Sequence, residues 1–596
     1  MSSNAQGFEE TRWQKEPKIV IAFDIGTTYA AVALAHLYKG GKQTIHRVTT
    51  WPGQENQYEQ SKIPSEIFYD KDGRARAFGA EVGAYENQDK AEEEGWFLAK
   101  HWKLHLHPPS MTSESNLTLD ELPPGVSIPQ IYADFMRYLY QQTRAYFHSR
   151  IVDGERTWNS LKKSTEFVLA HPNGWGWNEQ NFLRVAAVSA GLVSSAEEAA
   201  KKILFVSEAE ASIHFVTINA DFGKQLKRNL KVAVCDAGGS TVDTTLYTVD
   251  KVSPLYLQEK RASACVQAGA IFINRLAKEH FKSKFADEED REDFVADALK
   301  SFETDAKRSF GGPEEDKTVA VGGVRFSNAQ LGVRRGHMTL KGSLIQQFFD
   351  PCIDQIISSV NDQIRGVDVD FLLLVGGFGE SPYLRNRIRT GAETRGISVT
   401  IANGPTAKAV ADGAVVWSIK GAVTARATRF AYGNEITVSA EPMEGEKIGR
   451  TVVAGPSGPR IEGGWSEIVA ANTVIEDKHE TSEPFWVLYS TSHPDLSLFE
   501  ETIYSYEGSE SPPPMFMRDN YGNLKPGFRK LCDIHVDLSK MRGGLVSEVG
   551  PHGRYWILHF NTILTFGGTE IRAAVTWKEK NKTMRSKAIL VSSEFA

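Results

Sequence analysis

The sequence is poor in the features of secreted, disulfide-stabilised or membrane-spanning proteins. It has four cysteines in 596 residues, and none forms a close pair with metal-ligand spacing. Four cysteines are too few for a disulfide scaffold in a chain of this length, so we expect a reducing compartment and a cytoplasmic location. No apolar run approaches membrane-spanning length, and the polar stretch 1–18 lacks the apolar core of a signal peptide.

Strong charge imbalance is also missing. The formal net charge is -7, and the basic residues are scattered along the chain rather than clustered. These features favour neither a nucleic acid nor a membrane surface as a partner. A chain of 596 residues is too long for one hydrophobic core, so two or more domains are expected.

Signatures of hydrolases and zinc enzymes are absent. The sequence has no Gly-x-Ser-x-Gly nucleophile elbow and no histidine pair with zinc spacing. His101, His105 and His107 cluster beside Trp102, and we interpret them as loop and surface residues rather than ligands.

Two segments of the chain, more than two hundred residues apart, resemble each other. Residues 19–28 and 231–241 are each an apolar run that ends at an aspartate, Asp24 or Asp236, followed by glycine and hydroxyl residues. This pattern predicts a buried strand that delivers a carboxylate into a glycine turn. The segment 371–379 repeats the strand and the glycines without the aspartate. Two acidic turns and one bare glycine turn predict a nucleotide held between two related halves.

The residue types in these turns suit a phosphate ligand. Glycines let backbone N–H groups approach an anion closely, and neighbouring threonine and serine hydroxyls add donors. An aspartate repels phosphate, so Asp24 and Asp236 make sense if Mg²⁺ lies between carboxylate and phosphate, reached through water. A single turn of this kind is equally an ordinary strand end. The repetition favours the nucleotide interpretation.

Hydrophobic periodicity divides the chain near residue 425. Before it, strands alternate with amphipathic helices, and after it an alternating pattern predicts strands alone. The apolar stripe from Leu344 to Ile364 predicts a helix, and Pro351 within it predicts a kink or two abutting helices. Further helices are predicted at 131–150, 178–192, 270–281, 291–310 and 407–419. The predicted domains are a disordered tail at 1–17, a nucleotide-binding domain at 18–425 and a β-rich domain at 426–596.

In combination, these motifs resemble the actin, sugar-kinase and heat shock protein 70 superfamily of ATPase domains. Asp24–Tyr29 resembles the first phosphate loop of the heat shock branch, Asp236–Asp243 its second, and Val375–Gly377 the start of its adenosine motif. The resemblance implies an α/β fold: a duplicated actin-like (ribonuclease H-like) ATPase domain with two lobes around a nucleotide cleft. A small all-β C-terminal domain without a helical lid would follow, as in a divergent, lidless branch of the family.

The resemblance also implies ligands and residue roles. The metal, Mg²⁺, would be held by Asp24, Asp236 and Asp243. The residues that would contact ATP or ADP are Gly26, Thr27, Thr28, Tyr29, Gly238, Gly239, Ser240, Thr241, Gly269, Lys307, Gly376, Gly377 and Gly379. The third motif continues as Phe378-Gly379-Glu380-Ser381 where the chaperones have Ser-Thr-Arg, so the resemblance does not extend to the base-stacking residues.

Three catalytic roles follow from the same resemblance. Asp236 would act with the metal, and Glu208 matches the acidic residue near the attacking water, although a carboxylate that begins a helix would look the same. The lysine near the γ-phosphate is Lys103 or Lys100, with Lys103 preferred. Either lysine would equally suit a solvated surface.

The implied function is that of an ATP-binding, weakly hydrolysing, chaperone-like protein with a protein client or co-chaperone as partner. The alternative is a nucleotide-dependent scaffold with little or no hydrolysis. A small-molecule kinase of the same superfamily is disfavoured because no sugar-recognition pattern is found. An actin-like filament is disfavoured because the β domain would have to fit between subunits.

Overall fold

The computed structural model describes residues 11–56, 60–108, 119–219, 222–252, 255–401, 409–420, 423–476, 479–538, 544–567, 570–579, 582–586 and 589–590. It divides the chain into two compact units. The first comprises Met1–Gln258 and Ser263–Ala422, and the second comprises Glu259–Ala262 and Val423–Ala596.

Strands of the first unit are numbered in chain order. They are β1 (Lys18–Ile25), β2 (Tyr29–Leu37), β3 (His46–Arg47), β4 (Lys62–Pro64), β5 (Ile67–Tyr69), β6 (Ala75–Phe78), β7 (Phe97–Ala99), β8 (Glu166–His171), β9 (Ile203–Ser207), β10 (Lys231–Ala237), β11 (Val242–Lys251), β12 (Tyr256–Glu259, ending at the unit boundary), β13 (Ala264–Val266), β14 (Lys317–Ala320), β15 (Val333–Arg334), β16 (His337–Leu340), β17 (Phe371–Val375) and β18 (Ser398–Ile401).

Helices of the first unit lie between these strands. They are α1 (Tyr85–Glu94), α2 (Ile128–Arg150), α3 (Gly154–Leu161), α4 (Trp177–Ser189), α5 (Ala196–Lys202), α6 (Glu208–Asn219), α7 (Phe222–Gln225), α8 (Ala270–Lys284), α9 (Arg291–Ser301), α10 (Lys307–Ser309), α11 (Gly342–Ile364), α12 (Pro382–Glu393) and α13 (Ala409–Lys420). Shorter 3-10 turns include Trp102–Leu106 and Phe378–Glu380, and a π-helical turn at Phe302–Ala306 joins α9 to α10.

The internal repeat of the sequence is also a repeat of strand pairing. Strand β1 pairs antiparallel with β2 and parallel with β8, and β8 pairs parallel with β9. Strand β10 pairs antiparallel with β11 and parallel with β17, and β17 pairs parallel with β18. Each of β1 and β10 is therefore a central strand. Central strands lie between two neighbours and under packed faces, which explains their near-continuous apolar runs.

Two helices at equivalent places in the repeats pack against each other. Helix α6 directly follows β9, and α13 is the next described helix after β18. Their backbones approach so closely that a β-carbon at Gly413 would lie 1.8 Å from the carbonyl oxygen of Ala211. The indole of Trp417 donates a 2.7 Å hydrogen bond to Glu210 beside this contact. Only glycine fits at position 413 without displacing the helix pair.

Of the two outcomes predicted at Pro351, a kink or two abutting helices, the second was wrong. Helix α11 runs continuously through it. Pro351 is exposed, so the carbonyl that it leaves without an intrahelical donor lies on the solvent side. Phe348, Phe349 and Ile353 are buried around it, and their packing holds the helix together.

Among the described residues from 423 onward, the regular elements of the second unit are strands and one 3-10 turn, Gly445–Lys447, and loops connect them. The strands are β19 (Val423–Ala427), β20 (Ala431–Ser439), β21 (Val453–Gly455), β22 (Gly458–Val469), β23 (Val474–Glu476), β24 (Glu480–Tyr489), β25 (Phe499–Tyr506), β26 (Phe528–Val536), β27 (Val546–Gly550), β28 (Gly553–Gly567), β29 (Glu570–Glu579), β30 (Lys582–Arg585) and β31 (Ile589–Leu590). One sheet has the order β21-β22-β20-β25-β26 and another β24-β28-β29-β30, with β27 and β31 at its sides.

Burial in β28 does not follow the alternation of its sequence. Leu558, Phe560 and Leu564 are buried on one face, but Ile557 and Ile563 on the other face are buried as well. Across the described part of the chain, none of the helices combines the length and the apolar character needed to cross a bilayer.

Candidate functional site

The two aspartate turns have the same construction. Asp24 and Asp236 are the penultimate residues of β1 and β10, and both are buried. In the first turn the N–H of Gly26 donates to the carbonyl of Tyr29 at 3.0 Å, and in the second the N–H of Gly238 donates to that of Thr241 at 2.9 Å. A β-carbon at Gly26 would lie 2.5 Å from the Tyr29 oxygen, so a side chain there would break the turn.

The structure brings the two turns into direct contact. The hydroxyl oxygens of Thr27 and Ser240 are 2.6 Å apart, although the residues are 213 positions apart in the chain. A β-carbon at Gly239 would lie 2.8 Å from the Thr28 hydroxyl oxygen. Hydroxyl groups and glycine backbone from both repeats thus converge on one place, as an anion-binding loop pair requires.

The third glycine turn lies against the second aspartate. Gly376 has φ +83, and a β-carbon there would lie 2.4 Å from both the Ala237 carbonyl and a carboxylate oxygen of Asp236. Gly269 closes the opposite side of the second turn, since its β-carbon would lie 2.5 Å from the backbone of Gly239. Gly376 and Gly269 are therefore required by close backbone approach.

Further along the third motif the predicted residues are spread out. Phe378 is buried, and Gly379 accepts a 2.9 Å hydrogen bond from the side chain of Arg385. Lys307 donates to Asn274 at 2.7 Å, and burial lowers the pKa of its amine to about 8. Lys307 is therefore an inward-facing lysine rather than a solvated one.

Acidic side chains cluster where the turns meet. Burial raises the pKa of Asp24, and the charge of Glu208 raises it further, while Lys62, 3.3 Å away, acts in the opposite sense. Burial and then Glu208 raise the pKa of Asp236 to about 7, although Ser212 donates to it at 2.7 Å. Burial and Glu208 raise the pKa of Asp243 well above its usual value. Like charges that disfavour one another's ionised forms must lie close together.

Lys103, rather than Lys100, lies beside the predicted acid. Its amine is 2.9 Å from an oxygen of Glu208, the first residue of α6, and only 4% of its side chain is exposed. The 3-10 turn Trp102–Leu106 points Lys103 inward, whereas Lys100 is exposed. The predicted pair Glu208 and Lys103 is therefore in contact.

Sequence reasoning missed several polar residues around the site. Lys62 and Ser212 contact the two aspartates, and the backbone N–H of Asn173 donates to Asp243 at 2.8 Å. Asn173 lies two residues after the end of β8, and that strand end was the available signal. Nothing in the local sequence pattern distinguishes Lys62 or Ser212, because their roles arise from strand register and helix packing.

His107 lies in a bend just after the 3-10 turn Trp102–Leu106, as a loop residue would, but the interpretation of it as a surface residue was wrong. It is 6% exposed, and its Nδ1 accepts a 3.0 Å hydrogen bond from the indole N–H of Trp175. His101 and His105 are only partly buried and contact Asp120. Within the described residues no group of three or more histidine, cysteine, aspartate or glutamate side chains is arranged to hold a metal ion directly.

Curated proteins of one family resemble the chain over nearly its whole length. Heat shock 70 kDa protein 12B of Homo sapiens is 22% identical over 96% of this chain and 91% of its own length. Heat shock 70 kDa protein 12A of Mus musculus is 23% identical over 95% of this chain and 90% of its own length. The Homo sapiens form of protein 12A is 22% identical over 93% and 89%, respectively. No protein-family model matches the chain.

The mixed α/β structure, with its repeated strand pairing, is consistent with an actin-like ATPase fold. Over nearly its whole length the chain is similar to divergent members of the heat shock protein 70 family, the proteins named 12A and 12B. The family resemblance drawn from the motifs is thereby confirmed.

Proposed function

We propose that the chain binds ATP and ADP with Mg²⁺ between its two aspartate turns and hydrolyses ATP slowly. The observation that carries this proposal is the 2.6 Å contact between the hydroxyls of Thr27 and Ser240, which joins two predicted phosphate loops from distant parts of the sequence. Threonine and serine hydroxyls of the two turns, with the backbone N–H groups that do not close those turns, supply donors for a polyphosphate.

A hydrated divalent cation fits the charges at this place. Asp24, Asp236 and Asp243 are buried with raised pKa values, and together with Glu208 these acidic groups outnumber the neighbouring lysines Lys62 and Lys103. One carboxylate oxygen of Asp243 is buried without a nitrogen or oxygen donor, and the Cys265 thiol beside this carboxyl is only a weak donor. Mg²⁺ keeps several waters and is held by few carboxylates, which suits carboxylates that do not converge on a single point. When bound, the ion would neutralise phosphate charge.

The residues of the chain have separate roles in this proposal. Hydroxyl and amide groups of the two glycine turns bind and orient the phosphates. Lys103 offers a cation to the terminal phosphate, and Glu208 orients a water molecule and accepts its proton. Their 2.9 Å ion pair keeps both side chains in place before nucleotide arrives. Positioning and charge neutralisation are what phosphoryl transfer demands.

Two roles for the whole protein remain open to experiment. In the first, the nucleotide state changes the first unit and the β-rich second unit binds a protein client or co-chaperone in response. In the second, the chain is a nucleotide-dependent scaffold with little or no hydrolysis. The names of its relatives as heat shock proteins favour the first.

A single-turnover ATP assay separates these roles. The wild-type chain, Asp236→Asn and Glu208→Gln are compared for nucleotide binding and for release of phosphate. A weak ATPase releases phosphate faster in the wild type than in either variant, and Glu208→Gln still binds ATP. Equal, negligible release with retained binding by the wild type identifies the scaffold. Failure of the wild type to bind either nucleotide overturns the proposal.

A further inference from the structure

Lys103 is held by two groups, not one. Its amine lies 2.9 Å from a carboxylate oxygen of Glu208 and 5.2 Å from the ring centroid of Trp175. The second contact is a cation–π interaction, which strengthens as the cation is removed from water. Because the side chain of Lys103 is almost fully buried, this interaction acts under those conditions.

Trp175 is fixed in orientation by its own contacts. It lies in the turn between β8 and α4, where its backbone N–H donates to the carbonyl of Pro172 at 3.0 Å. Its indole N–H donates to Nδ1 of His107 at 3.0 Å, and the two rings meet edge to face with centroids 5.9 Å apart. The indole therefore has one preferred orientation, with its face toward the lysine.

His107 is suited to act as a permanent acceptor. Because Nδ1 accepts a hydrogen bond, the ring proton of the neutral form must be on Nε2. Burial, and then the charge of Lys103, lower the pKa of His107 to about 3. The ring thus stays neutral and keeps the same tautomer across the physiological pH range. Its backbone N–H also caps the 3-10 turn that carries Lys103, donating to Leu104 at 3.2 Å.

The side chains of Lys103, Trp175 and His107 are linked by these contacts, and they come from two segments of the chain. His107 is four residues from Lys103 on one segment, and Trp175 comes from the other. Glu208 alone would fix only the distance of the amine, since an ion pair between flexible side chains allows many geometries. The contact with the indole face of Trp175 also fixes the direction in which the Lys103 amine points.

We infer that Trp175, locked by His107, is a positioning residue that holds the Lys103 amine for a terminal phosphate and so gives the site its preference for a triphosphate over a diphosphate. The inference rests on the proposed nucleotide function and adds the origin of its selectivity. ADP has no γ-phosphate for Lys103 to contact, so only ATP binding depends on where the amine points.

The test compares affinities for ADP and for the slowly hydrolysed β,γ-imido analogue of ATP, each with Mg²⁺, by titration calorimetry. Trp175→Leu removes the π face, and we expect the ratio of triphosphate to diphosphate affinity to fall about five- to thirtyfold with ADP affinity unchanged. Trp175→Phe keeps a ring without the N–H and should lose less. Trp158→Leu removes another buried tryptophan of the same unit, away from this cluster, and should leave the ratio unchanged.

His107 is tested in the same way. His107→Leu leaves the indole N–H without an acceptor and should lower the ratio, whereas His107→Gln offers a carbonyl oxygen and should restore it. The nucleotide-free protein gives an independent readout. In ¹⁵N spectra of histidine-labelled protein, the His107 signal, assigned by its loss in His107→Gln, should show an unprotonated Nδ1 and no titration between pH 5 and pH 8.

The outcomes distinguish this inference from the proposed function. If Trp175→Leu weakens both nucleotides equally, Trp175 only packs the core and the inference is wrong while nucleotide binding stands. A His107 ring that titrates near pH 6.5, or carries its proton on Nδ1, also contradicts it. If the wild type binds neither nucleotide, the proposed function itself fails.

Discussion

Gly376 stands directly against Asp236: a β-carbon at position 376 would lie 2.4 Å from an oxygen of that carboxylate. The third glycine motif of the sequence is thus in contact with the second aspartate motif, and the two lie at the ends of the paired parallel strands β17 and β10.

Gly376→Ala should therefore disable the site. The added methyl group overlaps Asp236 and the Ala237 carbonyl, and the left-handed φ of +83 adds strain for any other residue. We expect at least about a tenfold loss of nucleotide affinity and a lower melting temperature. Gly391→Ala, in α12, is the matched control and should leave nucleotide affinity unchanged, because a β-carbon at 391 meets nothing within 4 Å. Equal nucleotide affinities in the two variants would contradict the close approach of Gly376 to Asp236.

Lys103 and Lys100 offer a matched pair three residues apart. Lys103→Met leaves the Glu208 carboxylate without its 2.9 Å partner in a mostly buried place. We expect a loss of about 2–4 kcal/mol in the unfolding free energy of the nucleotide-free protein, measured by urea denaturation. Lys100→Met changes an exposed side chain and should stay within about 0.5 kcal/mol of the wild type. A larger loss of unfolding free energy in Lys100→Met than in Lys103→Met would show that Lys100 is the partner of Glu208.

The contact between α6 and α13 gives a third prediction. Gly413→Ala places a methyl group 1.8 Å from the Ala211 carbonyl and should cost about 2 kcal/mol or more, because two backbones must separate. Gly391→Ala, in α12, meets nothing within 4 Å and should raise stability by about 0.5–1 kcal/mol through reduced chain entropy. Thermal unfolding should show a lower melting temperature for Gly413→Ala and a higher one for Gly391→Ala. An unchanged melting temperature in Gly413→Ala would contradict the prediction.

A buried carboxyl group in the second unit should make its stability depend on pH. Glu501 accepts a hydrogen bond from Asn434, and burial raises its pKa from 4.5 to about 7. Below pH 4.5 the group is protonated in both the folded and the unfolded state. Between pH 4.5 and 7 the unfolded chain ionises first, so stability falls as the pH rises through this range and levels off above it.

The expected loss across that window is roughly 1–3 kcal/mol, measured by urea denaturation at a series of pH values. Glu501→Gln should flatten the profile. Glu500→Gln, at an exposed neighbour on the same strand, should leave it unchanged. A slope that survives in Glu501→Gln would show that another group is responsible.

Local patterns were enough to predict the parts of the site that are built from the backbone. Strands β1, β10 and β17 follow from uninterrupted apolar runs, and Gly26, Gly238 and Gly376 follow from the turns that end them. These are short-range features, since a strand end and a glycine turn are specified within a few residues.

Side chains that reach the site from elsewhere were not predictable in this way. Lys62 contacts Asp24 only because β4 pairs with β2, and Ser212 reaches Asp236 only because α6 packs beside β10. His107 was misjudged because its burial depends on Trp175, 68 residues away. Pro351 shows the converse, since packing on both sides overrides a strong local signal.

The most direct test of the account is a comparison of the wild-type chain with Asp236→Asn, in the absence and presence of Mg²⁺ and ATP. Because ionised Asp236 is destabilised by burial and by Glu208, the neutral asparagine should raise the melting temperature of the nucleotide-free protein by about 2–5 °C. The same substitution should abolish the magnesium-dependent uptake of ATP that calorimetry detects in the wild type. A variant that binds Mg²⁺ and ATP as the wild type does, or a wild type that binds neither, would contradict the central claim.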